Sequence, residues 1–108
     1  MSTGYRFMRL VVFFDLPTLT KADLRRYTLF VRFLKKEGFC MTQKSVYTKI
    51  LLNGTMANLM MDRLKKNAPE NGVIQMLLVT EKQFNSMTYV SGEKKSVIED
   101  SDSRLVRF

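Results

Sequence analysis

The sequence predicts an α+β domain in which two helices cover one face of a four-stranded antiparallel sheet, and three observations carry that prediction. Two apolar runs, residues 7–14 and 73–80, read as strands, and the first has the β-branched and aromatic content of one buried in the middle of a sheet. Between them lie two stretches whose apolar residues recur at helical spacing, each preceded by a residue able to cap a helix. Between those helices, residues 39–52 are apolar-rich and alternating, but too long for one strand, so they divide into two. At 108 residues the chain is large enough for one core and too small for two domains.

The elements follow in order. Residues 1–6 form a short polar lead-in, and the strand at 7–14 is interrupted by only one charge, Arg9. Asp15 comes next, and Pro17 cannot continue a ladder, so the strand stops and delivers a carboxylate to the end of the sheet. Open α/β-type sheets tend to place chemistry there; the plain alternative is a turn acid hydrogen-bonded to nearby amides. Thr20, followed three residues on by Asp23, resembles a capping box, and Gly38 stands where the helix ends. Over about five turns, Tyr27, Phe30, Val31 and Leu34 gather on one side, flanked by Leu24 and Phe33. The opposite side collects Lys21, Arg25, Thr28, Arg32, Lys35 and Lys36.

Residues 39–44 and 46–52 are expected to pair as antiparallel strands, broken near Thr42, Gln43, Lys44 and Ser45 although no Gly or Pro marks the turn. Asn53 and Gly54 end that run. Thr55 is expected to cap a second helix reaching to about Asn67, with Met56, Leu59, Met60 and Leu64 as its core stripe. Pro69 and Gly72 close it before the strand at 73–80. Thr80 and Gln83 resemble another capping box opening a short helical turn, and residues 87–90 read as a brief extended piece. Strand, helix, strand, strand, helix, strand is the βαββαβ order of ferredoxin-like domains. Apolar side chains fill both faces of the first and last strands, so the face without helices needs a cover, which a symmetric homodimer stacked sheet to sheet would provide. The folded domain is expected to span residues 1–92. Residues 93–108 read as a polar linker ending in an apolar add-on strand, Arg104, Leu105, Val106, Arg107 and Phe108, suited to docking on another sheet edge.

Composition narrows the chemistry. Lysine and arginine number 18 against 10 acidic residues, for a net charge of +8 and a pI near 9.9, which favours a polyanionic partner. With no histidine, there is no imidazole base, no Ser-His or Cys-His pair and no ordinary zinc site. Cys40 is the only cysteine, so no intrachain disulfide forms; it reads as packing beside Phe39 and Met41 in a reducing compartment. Arg6 and Arg9 break the first apolar run, which therefore resembles neither a signal peptide nor a membrane span, and a cytoplasmic location without membrane contact is expected. The cations on the first helix form a row along about 20 Å that could follow a phosphate backbone, positioning a duplex without reading its sequence. The alternative is a solvated face, but only Asp23 and Glu37 offset it locally.

The strand ending Phe14-Asp15, the basic helix closed by Gly38-Phe39, and the stretch Gln43, Lys44, Ser45, Val46, Tyr47 resemble the small CRISPR-associated protein of the adaptation machinery, its second core subunit. The start at Tyr5, Arg6, Phe7 and Met8 and the stretch from Thr80 to Phe84 look like the variety that accompanies type II-A systems. The resemblance implies a ferredoxin-like homodimer between two integrase dimers, holding prespacer double-stranded DNA, with the C-terminal segment docking beside the partner subunit and the integrase. The family is also described as a metal-dependent endoribonuclease, and Asp15 matches its magnesium-binding acid, hence a candidate catalytic residue. Phe14 stands where the family often has tyrosine, so that hydroxyl is missing here. A lone aspartate holds Mg2+ only with waters, phosphate oxygens or a second subunit's Asp15, giving one site shared across the dimer. Two roles therefore stay open: a DNA-binding scaffold using Lys21, Arg25, Arg32, Lys35 and Lys36, and a nuclease using Asp15.

Overall fold

A computed structural model of the chain describes residues 7–92. The elements run β1 (Met8–Asp15), α1 (Lys21–Lys36), β2 (Cys40–Gln43), β3 (Val46–Leu51), α2 (Gly54–Asn67), β4 (Val73–Thr80) and the short α3 (Glu81–Asn85). The strands lie in the order β2-β3-β1-β4, every neighbour antiparallel, so the two long apolar runs pair with each other. This is the ferredoxin-like arrangement. The expected docking strand at 104–108 and its linker lie outside the described residues.

Alternation along β1 sorts its side chains into two layers. Leu10, Val12 and Phe14 enter the core with Phe30 and Leu34 of α1, Met60 and Leu64 of α2, and Tyr47 and Leu51 of β3. Arg9, Val11 and Phe13 point to the opposite face. Helix α1 starts where the capping box predicts. The Thr20 hydroxyl accepts from the Asp23 amide at 3.0 Å, and the Asp23 carboxylate accepts from the Thr20 amide at 3.2 Å. That backbone hydrogen bond is the main reason the Asp23 carboxyl stays below its ordinary range; a hydrogen bond from Arg26 adds to it, against the opposing effect of burial. The helix ends at Gly38, whose φ of +94° belongs to the left-handed region, and the Phe39 amide returns to the Leu34 carbonyl at 2.9 Å.

Four expectations are corrected. Leu24 does not flank the core but is 49% exposed on the outer side of α1, because Phe30 and Leu34 set the helix's rotation. Helix α2 is capped by Asn53 rather than Thr55, its side-chain oxygen accepting from the Met56 amide at 2.9 Å. Its buried stripe is Ala57, Met60 and Leu64: the small Ala57 faces the core, and Met56 and Leu59 turn outward at 43% and 60% exposure. Residues 87–90 form no strand.

The turn between β2 and β3 needs no glycine. Gln43 pairs with Val46 across the two-residue loop Lys44-Ser45, Ser45 itself takes a φ of +63°, and Thr42 is an extra residue in the ladder whose hydroxyl donates to the Val46 carbonyl at 3.2 Å. Cys40, at the start of β2, is half-buried and free. Among the described residues, no helix is long and apolar enough to cross a membrane.

Candidate nucleic-acid interface and the Asp15 strand end

Asp15 is the last residue of β1 and pairs with Val73 of β4, which places it with Arg9, Val11 and Phe13 on the face free of helices. Its side chain is exposed, but its backbone is held from two sides. The Phe14 amide donates to the Ser45 carbonyl at 3.1 Å. On the other side Gly72, at φ +89°, lies so close that a Cβ there would stand 2.6 Å from the Asp15 carbonyl oxygen and 2.9 Å from Leu16 Cδ2.

Phe14 points the opposite way, into a cluster of rings: Phe30 at 5.3 Å, Tyr47 at 5.7 Å and Tyr27 at 5.9 Å between centroids. Burial, with a smaller contribution from Tyr27, pushes the Tyr47 phenol above its ordinary value and keeps it neutral. No group of three or more histidine, cysteine, aspartate or glutamate side chains able to hold a metal occurs among the described residues. Among the described residues Asp15 thus belongs to no such cluster, and six-fold oxygen coordination of a Mg2+ there would need donors from water, phosphate or another copy.

The rest of this open face is largely apolar. Val11 and Phe13 meet Thr48 and Val46 of β3 and Leu77 and Gln75 of β4, and Ile50, Val73 and Leu77 are each about half exposed. Arg9 is the exception, at 8% exposure. Its guanidinium donates to both Glu81 oxygens, at 2.8 and 2.5 Å, and to the Thr48 hydroxyl at 3.1 Å, and lies 4.3 Å from the centre of the Phe84 ring. Helix α3 is thereby fastened over one end of the open face. The hydrogen bonds from Arg9 are the first cause of a Glu81 carboxyl held below its ordinary value. The stability they supply is complete above the ordinary glutamate pKa and is lost as pH falls through the depressed native value. Glu81→Gln is expected to cost about 1–2 kcal/mol at neutral pH, since Arg9 keeps a buried charge with fewer acceptors. Thermal melts from pH 3 to 7 check this: the variant's melting temperature should fall less steeply than the wild type's below the ordinary carboxyl range, and parallel curves would refute the pairing.

On the far side of the molecule, Lys21, Arg25, Arg32, Lys35 and Lys36 are all exposed along the outer surface of α1. None of the five forms an ion pair among the described residues, whereas Arg26 is held by Asp23 at 3.0 Å and Arg63 by Glu37. Leu24, Thr28 and Leu29 share a shallow groove with Lys21, Arg25 and Arg32. The structure thus brings the five predicted cations together on one surface and sets Asp15 apart from them, across the sheet. Arg9 with Glu81, and the two leucines on the basic surface, are the features that sequence reading missed. The isolated charge in an apolar strand was the available signal for the first.

An antiparallel ferredoxin-like sheet, helices on one face, a strand-end aspartate on the other and a cationic helix outside define a small basic ferredoxin-like domain. The model of the family described as CRISPR associated protein Cas2 matches residues 8–87, and the chain belongs to that family. It is 50% identical over 99 residues to the CRISPR-associated endoribonuclease Cas2 of Streptococcus mutans serotype c (strain ATCC 700610 / UA159), covering 92% of this chain and 91% of that protein. It is 43% identical over 99 residues to the protein of the same name from Treponema denticola, covering 92% and 98%. Among solved structures, one described as the crystal structure of cas2 superposes with a TM-score of 0.58 at 22% identity, covering 88% of this chain and 98% of that one, a likeness of fold.

Proposed function

We propose that this chain is the DNA-holding subunit of a CRISPR adaptation complex. It works in the cytoplasm as a homodimer stacked through the open sheet face, bridges two integrase dimers, and carries prespacer double-stranded DNA by its backbone on the α1 surface. The observation that carries the proposal is the row of five exposed cations on α1 with no carboxylate partner among the described residues. Unpaired cations on a rigid helix gain most by displacing counterions from a polyphosphate. Membership of the Cas2 family supports the CRISPR setting, and the half-exposed Ile50, Val73 and Leu77 support a second copy as cover for the sheet. Arg104, Leu105, Val106, Arg107 and Phe108 are assigned to docking on the integrase and the neighbouring subunit.

A second role is favoured by one feature: Asp15 is exposed at the end of the open face, where a stacked copy can bring a second carboxylate and complete a shared Mg2+ site. The relatives' printed name, endoribonuclease, is consistent with it. In that role Asp15 would hold the cation, which polarises a bound phosphodiester and its attacking water, while the fixed backbone around Ser45 and Gly72 would hold the carboxylate in place.

Asp15→Asn separates the two. Spacer acquisition in cells and duplex affinity in vitro are expected to be unchanged by this isosteric substitution, with any metal-dependent cleavage lost. Lost acquisition with duplex binding preserved would overturn the scaffold reading.

A further inference from the structure

Phosphate contacts alone do not account for the α1 surface. Leu24 and Leu29 border the cationic row, 49% and 48% exposed, in a groove whose other walls are Lys21, Arg25, Thr28 and Arg32. They stand on either side of the row and about 7.5 Å apart along the helix axis. The part of a nucleic-acid strand next to its phosphates is the sugar. In DNA the 2′ carbon is a methylene, and leucine methyl groups can close on it with a gain in buried apolar surface. In RNA the same carbon carries a hydroxyl that is both donor and acceptor. Against a leucine it would be stripped of water and given no partner, which is unfavourable. The one hydroxyl in the groove, Thr28, lies within the cationic row rather than beside the leucines.

We infer that Leu24 and Leu29 make this surface select deoxyribose over ribose, so that they determine specificity for DNA against RNA at a site otherwise blind to sequence. The inference rests on the duplex-holding role proposed above. Discrimination here is by exclusion: cations attract both polymers equally, and the leucines penalise one of them.

The test uses the full chain, at one salt concentration, with duplexes of identical sequence made of DNA, RNA and 2′-fluoro RNA, read by fluorescence anisotropy. The fluoro duplex keeps the A-form shape of RNA and lacks its hydroxyl. The expected result is DNA bound about tenfold more tightly than RNA, with 2′-fluoro RNA recovering most of the difference. The double variant Leu24→Asn with Leu29→Asn should bring RNA close to DNA while leaving the salt slope on DNA unchanged. Leu24→Met with Leu29→Met, which keeps the surface apolar, should retain the discrimination and guards against a loss caused by misfolding. Equal affinity of the wild type for DNA and RNA would overturn the inference and leave the proposed function standing. So would 2′-fluoro RNA binding as weakly as RNA, since helical shape would then do the sorting. Asparagine variants that leave both affinities unchanged would also overturn it, leaving these leucines to an apolar protein contact. Failure to bind any of the three duplexes would instead overturn the proposed function.

Discussion

Replacing Arg25 and Arg32 together by alanine is expected to weaken duplex binding about fiftyfold near 0.1 M salt and to flatten its salt dependence by about 1.8 logarithmic units per decade. Each phosphate contact releases close to 0.9 of a condensed counterion, and the loss follows from removing two such contacts. Both side chains are exposed, unpaired among the described residues, and one face of α1 apart by seven positions, so each can reach its own phosphate. The effect should be the same for every duplex sequence, because contacts to phosphate carry no sequence information. Arg26→Ala serves as the control. Its guanidinium is already held by Asp23 at 3.0 Å, and its removal should leave the slope unchanged. Anisotropy titrations across a range of salt concentrations decide the matter, and an unaltered slope in the double variant would put the nucleic-acid contact elsewhere on the molecule.

Gly72→Ala is expected to destabilise the fold by about 2–4 kcal/mol, lowering the melting temperature by about 10–20 °C. Two costs add. At φ +89° a side chain is in a backbone region that only glycine occupies freely. The new Cβ would also meet the Asp15 carbonyl oxygen at 2.6 Å and the Leu16 Cα at 3.0 Å. These are backbone atoms, and Asp15 is pinned by its pairing with Val73, so the collision cannot be relieved by rotating a side chain. Urea unfolding of the two proteins measures the difference, and coincident midpoints would show that the strand end yields.

Much of this architecture was legible in the order of the residues. The apolar runs ending at Asp15 and Thr80 were recognisable as strands by their apolar, β-branched content, although only β1 is central and β4 is an edge strand with alternating exposure, and both capping boxes predicted helix starts because their chemistry is local. Leu24, Met56 and Leu59 were misplaced for a different reason. Helical spacing defines a stripe only to within about one residue, and Phe30, Leu34 and Ala57 decided its rotation through contacts that local sequence does not contain. Asn53 displaced Thr55 as the cap because both residue types serve and only the chain's entry angle chooses between them. Arg9 was visible as an anomaly, yet its partner Glu81 lies 72 positions away, beyond any spacing rule. The candidate sites divide likewise: the cationic row follows from helical geometry alone, whereas the cation site proposed at Asp15 would depend on another copy of the chain, which no single sequence displays.

The sheet stands between the Asp15 surface and the outer side of α1. Changes made on opposite faces of the sheet, at Asp15 and in the middle of α1, are expected to sum in free energy with little coupling. If the α1 surface holds a duplex as proposed, a lineage could let the acidic end drift, or an engineer could delete it, without weakening that contact. The reverse would hold as well: strengthening the proposed duplex contact would not alter the proposed cation site at Asp15, and each could be tuned by its own set of substitutions.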